Sequence, residues 1–122
     1  MDTIYQQLIL DHYRNPRNQG VLDAPTHLAT ANNPTCGDSL EMQLLIKNDI
    51  IGEVRFQGSG CAISQASASI LTEFLKGKSV SEAKGVRKEE LLDLLGIELS
   101  LTRLKCALLA LETFQKSLNS KM

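Results

Sequence analysis

Two runs of alternating apolar and polar residues flank Asn48-Asp49, and they constrain this chain more than any other feature. Leu40, Met42, Leu44 and Ile46 alternate with Glu41, Gln43, Leu45 and Lys47, and a less regular alternation runs from Ile50 to Gln57. A period of two puts one set of side chains on a single face, which a strand satisfies and a helix does not. Asn and Asp tolerate the backbone of a tight turn, so an antiparallel hairpin closed at Asn48-Asp49 is expected. His27 to Ala31 reads as a short third strand, ended by Asn32-Asn33-Pro34, residues that favour an irregular loop. That loop is expected to carry Cys36-Gly37-Asp38.

Helical periodicity accounts for the rest. From Asp2 to Tyr13, the residues Ile4, Tyr5, Leu8, Ile9 and His12 recur at helical spacing until Asn15-Pro16-Arg17-Asn18 and Gly20 break the pattern. Gly58-Ser59-Gly60 ends the sheet and places Cys61 at a strand-to-helix junction. Ala62 to Lys76, rich in Ala and Ser, predicts a helix packed closely on the sheet and capped by Gly77. Ser79-Val-Ser-Glu82 matches a capping box, opening a short helix to about Lys84. Leu91, Leu92, Leu94 and Leu95 predict another short helix ending at Gly96, and Thr102 to Leu118 a longer one carrying Cys106 near its start. The expected fold is α+β: a small three-stranded antiparallel sheet packed with four to five helices, as one domain over residues 1–122.

Composition narrows the function. The chain has 122 residues, which suits one domain, and its 13 Lys and Arg nearly cancel its 14 Asp and Glu. No net field favours nucleic acid or an anionic membrane. The apolar stretches fall far short of the roughly 18 residues that span a bilayer. Met1-Asp2-Thr3-Ile4-Tyr5 is not the basic opening of a secretory signal, so the cytoplasm is the expected compartment. Three cysteines cannot all pair within the chain, and in a reducing compartment an odd count points to metal or thiol chemistry.

The cysteines are far apart in sequence and form no local Cys-x-x-Cys pair, so any shared site is assembled by the fold. Cys36 sits in Pro-Thr-Cys-Gly-Asp, Cys61 at a helix entry and Cys106 in the first part of a helix. The amide hydrogens and positive end of a helix stabilise the thiolate form that binds metal or attacks sulfur, which favours Cys61, and Arg103 and Lys105 could act similarly on Cys106. Cys106 on an apolar helical face also suits a small buried hydrophobe. Asp38 either adds a carboxylate oxygen to three sulfurs, a set zinc accepts, or closes a local turn. His12 and His27 lie away from the cysteines and read as packing or surface residues.

Four ordered blocks carry a resemblance: Ile9-Leu-Asp-His-Tyr-Arg-Asn-Pro-Arg-Asn18, Asn33-Pro-Thr-Cys-Gly-Asp38, Phe56-Gln-Gly-Ser-Gly-Cys-Ala-Ile-Ser64 and Arg103-Leu-Lys-Cys-Ala107. Together they resemble the signature blocks of the U-type iron-sulfur scaffold family. The resemblance implies an α+β fold of the SufE/IscU-like kind, with Cys36, Asp38, Cys61 and Cys106 converging at one exposed end. It implies zinc or a transient [2Fe-2S] cluster there, and sulfur delivered as a persulfide by a pyridoxal-phosphate cysteine desulfurase. Cys36 is the expected acceptor, with Cys106 its rival. Recipient apoproteins or downstream Suf-type assembly proteins would take the product, and a monomer or weak oligomer is expected.

Within the family, Isc-type scaffolds carry His before the last cysteine, whereas this chain has Lys105 and resembles the Suf-type members of Gram-positive bacteria. Those are similar to zinc-dependent sulfurtransferases, so the chain is either such an enzyme or a non-enzymatic scaffold. The interval between Cys61 and Cys106 lacks the usual Suf-type insertion, which gives a Suf-like site an Isc-like length. Leu99-Ser-Leu-Thr-Arg103 replaces the Isc-type Leu-Pro-Pro-Val-Lys chaperone motif, so a dedicated Hsp70 partner is not expected. A zinc-stabilised interaction domain without sulfur chemistry is the alternative.

Overall fold

The structure is a computed structural model and describes residues 3–34, 37–96 and 98–122. Its elements follow in the order α1 (Thr3–Arg14), β1 (His27–Asn33), β2 (Asp38–Lys47), β3 (Ile50–Ser59), α2 (Ala62–Leu75), α3 (Val80–Lys84), α4 (Lys88–Leu95) and α5 (Leu101–Leu118). The three strands form one antiparallel sheet in the order β1-β2-β3. This is the α+β architecture expected from the sequence, with the third strand present and five helices.

Asn48 and Asp49 both take positive φ, 52° and 62°, which matches the primed turn whose twist suits an antiparallel pair. The irregular alternation in β3 has a cause. Ile46 pairs with Ile51 but Leu45 pairs with Glu53, so Gly52 is an extra residue, a β-bulge, and the inward face switches parity across it. Ile51, Val54 and Phe56 therefore all point inward with Leu40, Met42 and Leu44, each fully buried.

Against this face lie α5, over β1 and β2, and α2, over β3; the two helices also touch each other, and α1 and α4 pack on α2. Ser64, Ala66, Ser67, Ala68 and Ser69 are all buried on α2, small residues that let its backbone come close to its neighbours. Leu109, Ala110 and Phe114 supply the matching face of α5. Burying a side chain such as Phe56 or Phe114 contributes about 1.5–3 kcal/mol by transfer from water. The Ser79-Glu82 capping box forms as expected. Gly96 closes α4 at φ 69°, and the Tyr5 ring lies where a β-carbon would project, so this C-cap suits glycine for both backbone and space.

Both sheet edges are covered in part. Asn18 and Gly20 exchange backbone hydrogen bonds with Phe56, and Ile51 pairs with Gly77 and Lys78, along β3. Ser120 bonds to Leu28 near the start of β1, and Met122 to Thr26 just before it. Such cover blunts the tendency of an open strand to pair with another chain. Among the described residues, no helix is long and apolar enough to cross a membrane.

Candidate functional site

Strand topology collects the site at one end of the sheet. Asn33 at the end of β1 pairs with Asp38 at the start of β2, and Ser39 pairs with Ser59 at the end of β3. Asp38 is thus the first residue of β2 rather than part of the preceding loop, as the sequence had suggested, because the β1-β2 ladder continues to its last pair there. Beyond β3, Cys61 takes an extended backbone, φ −73° and ψ 170°, and is the N-cap of α2, the junction expected for it.

The amides of a helix entry lack intrahelical acceptors, and Asp38 supplies one from another strand. Its Oδ1 accepts the backbone N-H of Cys61 at 3.2 Å, and its Oδ2 lies 3.5 Å from Cys61 Sγ. Asp38, 4% exposed, also sets its carboxyl group at the positive end of α2, where an anion is favoured. Instead of serving only a local turn, Asp38 reaches across the sheet to the cysteine.

Cys106 arrives from α5 and is 2% exposed. Its Sγ, the Cys61 Sγ and a carboxylate oxygen of Asp38 all lie within 4.8 Å of one another. In a tetrahedral zinc site, bonds of about 2.0–2.3 Å place ligand atoms about 3.3–3.8 Å apart. The widest separation exceeds that spacing by about 1 Å at most, and two sulfurs with one oxygen are a donor set that zinc accepts, so the residues fit the metal. Cys36, the fourth residue expected here, lies outside the described residues. Arg103 and Lys105 are exposed on α5.

Two further residues shape the site; both lie in the Phe56–Ser64 block, which on sequence alone gave neither a part in the site. A β-carbon on Gly60 would stand 2.5 Å from Ser64 Oγ and 2.8 Å from Asp38 Cγ, so glycine is what lets this segment pass so close to the carboxyl group. Ser64, fully buried in the first turn of α2, donates its hydroxyl to the Cys61 carbonyl at 3.1 Å and lies 3.9 Å from Cys61 Sγ. Only the three-residue offset of Ser64 from a helix-opening cysteine could have revealed it.

The histidines belong elsewhere. His12 is buried between α1 and α2, with Nδ1 2.7 Å from Ser69 Oγ, and the Arg17 backbone N-H donates to the same oxygen at 2.8 Å. Burial, followed by the charge of Arg17, pushes its pKa below the ordinary value. His27, at the start of β1, is pushed the same way by burial and by Lys121. An apolar groove of about 440 Å³ is lined by Ile9, Leu10, Ile63 and Leu99, together with Ala62, the neighbour of Cys61, and Arg103.

Comparison with known proteins agrees with this geometry. Residues 4–120 match the NifU-like N terminal domain family. The zinc-dependent sulfurtransferase SufU of Bacillus subtilis is 46% identical over 88 residues; the match takes in 72% of this chain, which spans only 59% of that relative's length. The iron-sulfur cluster assembly scaffold protein IscU of Rickettsia prowazekii is 41% identical over 114 residues, covering 87% of this chain and 82% of that one. Among solved structures, a proposed iron-sulfur cluster assembly scaffold for the SUF system of Fervidobacterium islandicum superposes with a TM-score of 0.79 at 26% identity, covering 94% of this chain and 96% of that one. With its strand ends, its Asp38-Cys61-Cys106 cluster and a family match over nearly all its length, the chain belongs to the NifU-like N-terminal domain family, the U-type family that its sequence blocks resemble.

Proposed function

We propose that this chain is an iron-sulfur cluster assembly protein that accepts persulfide sulfur from a pyridoxal-phosphate cysteine desulfurase at a site of Cys36, Asp38, Cys61 and Cys106. The observation that carries this reading is the convergence of the Asp38 carboxylate with the Cys61 and Cys106 sulfurs at one end of the sheet. A sulfurtransferase relative and scaffold relatives of substantial identity support it. Zinc, when bound, would hold the cysteines as ordered thiolates through Asp38, Cys61, Cys106 and Cys36.

Sulfur transfer needs a thiolate with access to the donor. The thiolate of Cys36 attacks the outer sulfur of the desulfurase persulfide, the donor's S-S bond breaks, and the desulfurase cysteine leaves as a thiolate. The persulfide now rests on this chain, with no net oxidation. Cys106 is the rival acceptor. Arg103 and Lys105 stand on the exposed face of α5, where a cation would favour an anionic persulfide. The apolar groove beside Ala62 offers the desulfurase a surface that adjoins the site.

Metal content as purified, followed by titration with a cysteine desulfurase and free cysteine under reducing conditions, tests the reading. About one zinc per chain, as a single tetrahedral site requires, with faster sulfide release that Cys36→Ala abolishes, is the expected result. No effect on the desulfurase would sink the relay. The IscU-type relatives favour a second reading, assembly of a [2Fe-2S] cluster on the same residues. It predicts charge-transfer absorption after anaerobic reconstitution with iron and sulfide. If neither appears and chelation unfolds the chain, a zinc-stabilised interaction domain is what remains. Lys105 and a Suf-system neighbour of nearly equal length support the Suf-type assignment.

A further inference from the structure

Helix α2 begins with a short circuit of hydrogen-bonding groups that packing alone does not require. Ser64 is three residues beyond Cys61, a spacing that puts both on one side of a helix. Its hydroxyl donates to the Cys61 carbonyl at 3.1 Å, yet that carbonyl also accepts the backbone N-H of Gln65 at 3.1 Å. The carbonyl therefore keeps a partner if the hydroxyl turns away. The Cys61 sulfur is also in reach, 3.9 Å from Ser64 Oγ.

The chemistry of the sulfur decides which way the hydroxyl points. A protonated thiol is a donor, and Asp38 Oδ2 at 3.5 Å and Ser64 Oγ are its acceptors, so the Ser64 proton goes to the carbonyl. A thiolate bound to a cation has lost that proton and only accepts. Asp38, itself a ligand, then has no proton to give, whereas rotation about one bond brings the Ser64 hydroxyl onto the sulfur. Ser64 is wholly shielded from water, so its hydrogen bond meets little competition. Gly60, lacking a β-carbon, leaves room for the hydroxyl beside Asp38.

We propose that Ser64 is a positioning residue of the metal site, whose hydroxyl rotates from the Cys61 carbonyl to the Cys61 sulfur when that sulfur binds a metal cation. The inference rests on the reading of Asp38, Cys61 and Cys106 as ligands. Outer hydrogen bonds of this kind typically change metal affinity about 10- to 100-fold.

The test uses zinc and cobalt(II) with the full chain. Zinc affinity is measured by competition with a chromophoric chelator, and the sulfur-to-cobalt charge-transfer band by absorption, for the wild type, Ser64→Ala, Ser64→Thr and Cys61→Ala. Ser64→Ala is expected to bind zinc about tenfold more weakly, with the cobalt band moved to lower energy and the metal-free unfolding midpoint little changed. Ser64→Thr, which keeps the hydroxyl, restores both readings. Unchanged affinity and band in Ser64→Ala overturn the proposal and leave the metal site standing, as does a Thr variant no better than Ala. A wild type without a thiolate band, or Cys61→Ala with undiminished zinc binding, overturns the metal site and this inference with it. If Ser64→Ala does not fold, cadmium-113 in the wild type answers instead: through-bond coupling to the Ser64 hydroxyl proton is expected, and its absence overturns the proposal.

Discussion

Replacing Gly60 with Ala puts a methyl group 2.5 Å from Ser64 Oγ, 2.8 Å from Asp38 Cγ and 3.0 Å from Asp38 Oδ1. Non-bonded carbon contacts normally begin near 3.5 Å, so something has to move. The backbone is not the obstacle, because Gly60 is not among the positive-φ glycines. Ser64 can rotate its hydroxyl, but Asp38 is held by the strand ladder on one side and the Cys61 amide on the other. Turning its carboxylate aside breaks the 3.2 Å bond to Cys61. A hydrogen bond to a charged group contributes about 1.5–3 kcal/mol, and overpacking costs about 1–3 kcal/mol. The two are alternative routes of relief and the cheaper one is taken, so the metal-free chain should lose about 1–3 kcal/mol, or about 4–12 °C in Tm at roughly 4 °C per kcal/mol. Zinc affinity should fall at least tenfold, the lower end of the usual effect of disturbing a ligand's supports. Calorimetry of the metal-free, reduced chain and chelator competition read the two effects. Gly52→Ala is the control, since its β-carbon meets only the Leu45 carbonyl at an ordinary 3.6 Å. A Gly60→Ala variant that matches the wild type in both assays would show that Asp38 is not held as described.

Three further outcomes follow from the structure. Because burial keeps the pKa of His12 below the ordinary 6.5, the unfolded chain takes up its proton more readily; stability should be complete above that value and fall as pH drops through it. His12→Gln should flatten this loss in urea titrations between pH 7 and pH 5, and an unaltered slope would exclude His12 as its source. Phe56→Ala, at a fully buried position facing α2, should cost about 3–5 kcal/mol by denaturant unfolding. Ser79→Ala removes the cap that accepts the Glu82 N-H at 3.1 Å and should cost about 1 kcal/mol while leaving zinc affinity untouched.

Elements with strong local signals were legible in the sequence. The hairpin followed from alternation around Asn48-Asp49, α2 from the Ala- and Ser-rich run after Cys61, and α3 from its capping box. The end of β1 was less so: Asn32 and Asn33 read as loop, yet both pair with β2, because tertiary pairing overrides the weak strand preference of asparagine. The bulge at Gly52 appeared only as a blurred period, since one inserted residue reverses the inward parity. The segment from Asn18 to Gly20 gave no strand signal, yet it lines the edge of β3 through bonds to Phe56, a partner far away in sequence. At the site, Asp38, Cys61 and Cys106 were named as candidate ligands through the resemblance, and the structure brings the three together. Their convergence depends on where the strands begin and end, and the parts of Gly60 and Ser64 depend on spacings of a few ångström that no local pattern encodes.

The clasp of the last residues on β1 has a practical consequence for work on this chain. Ser120 and Met122 bond to Leu28 near the beginning of β1 and to Thr26 just before it, whereas Cys61 and Cys106 gather with Asp38 where the strand pairing finishes at Asn33. At about 3.3 Å per residue, the length of β1 keeps the two poles about 20 Å apart. A fluorophore or affinity handle attached at position 122 would therefore sit at the opposite pole from Cys61 and Cys106. A distance label pairing that position with a metal at the cysteine end would report how far the sheet keeps its length as partners come and go.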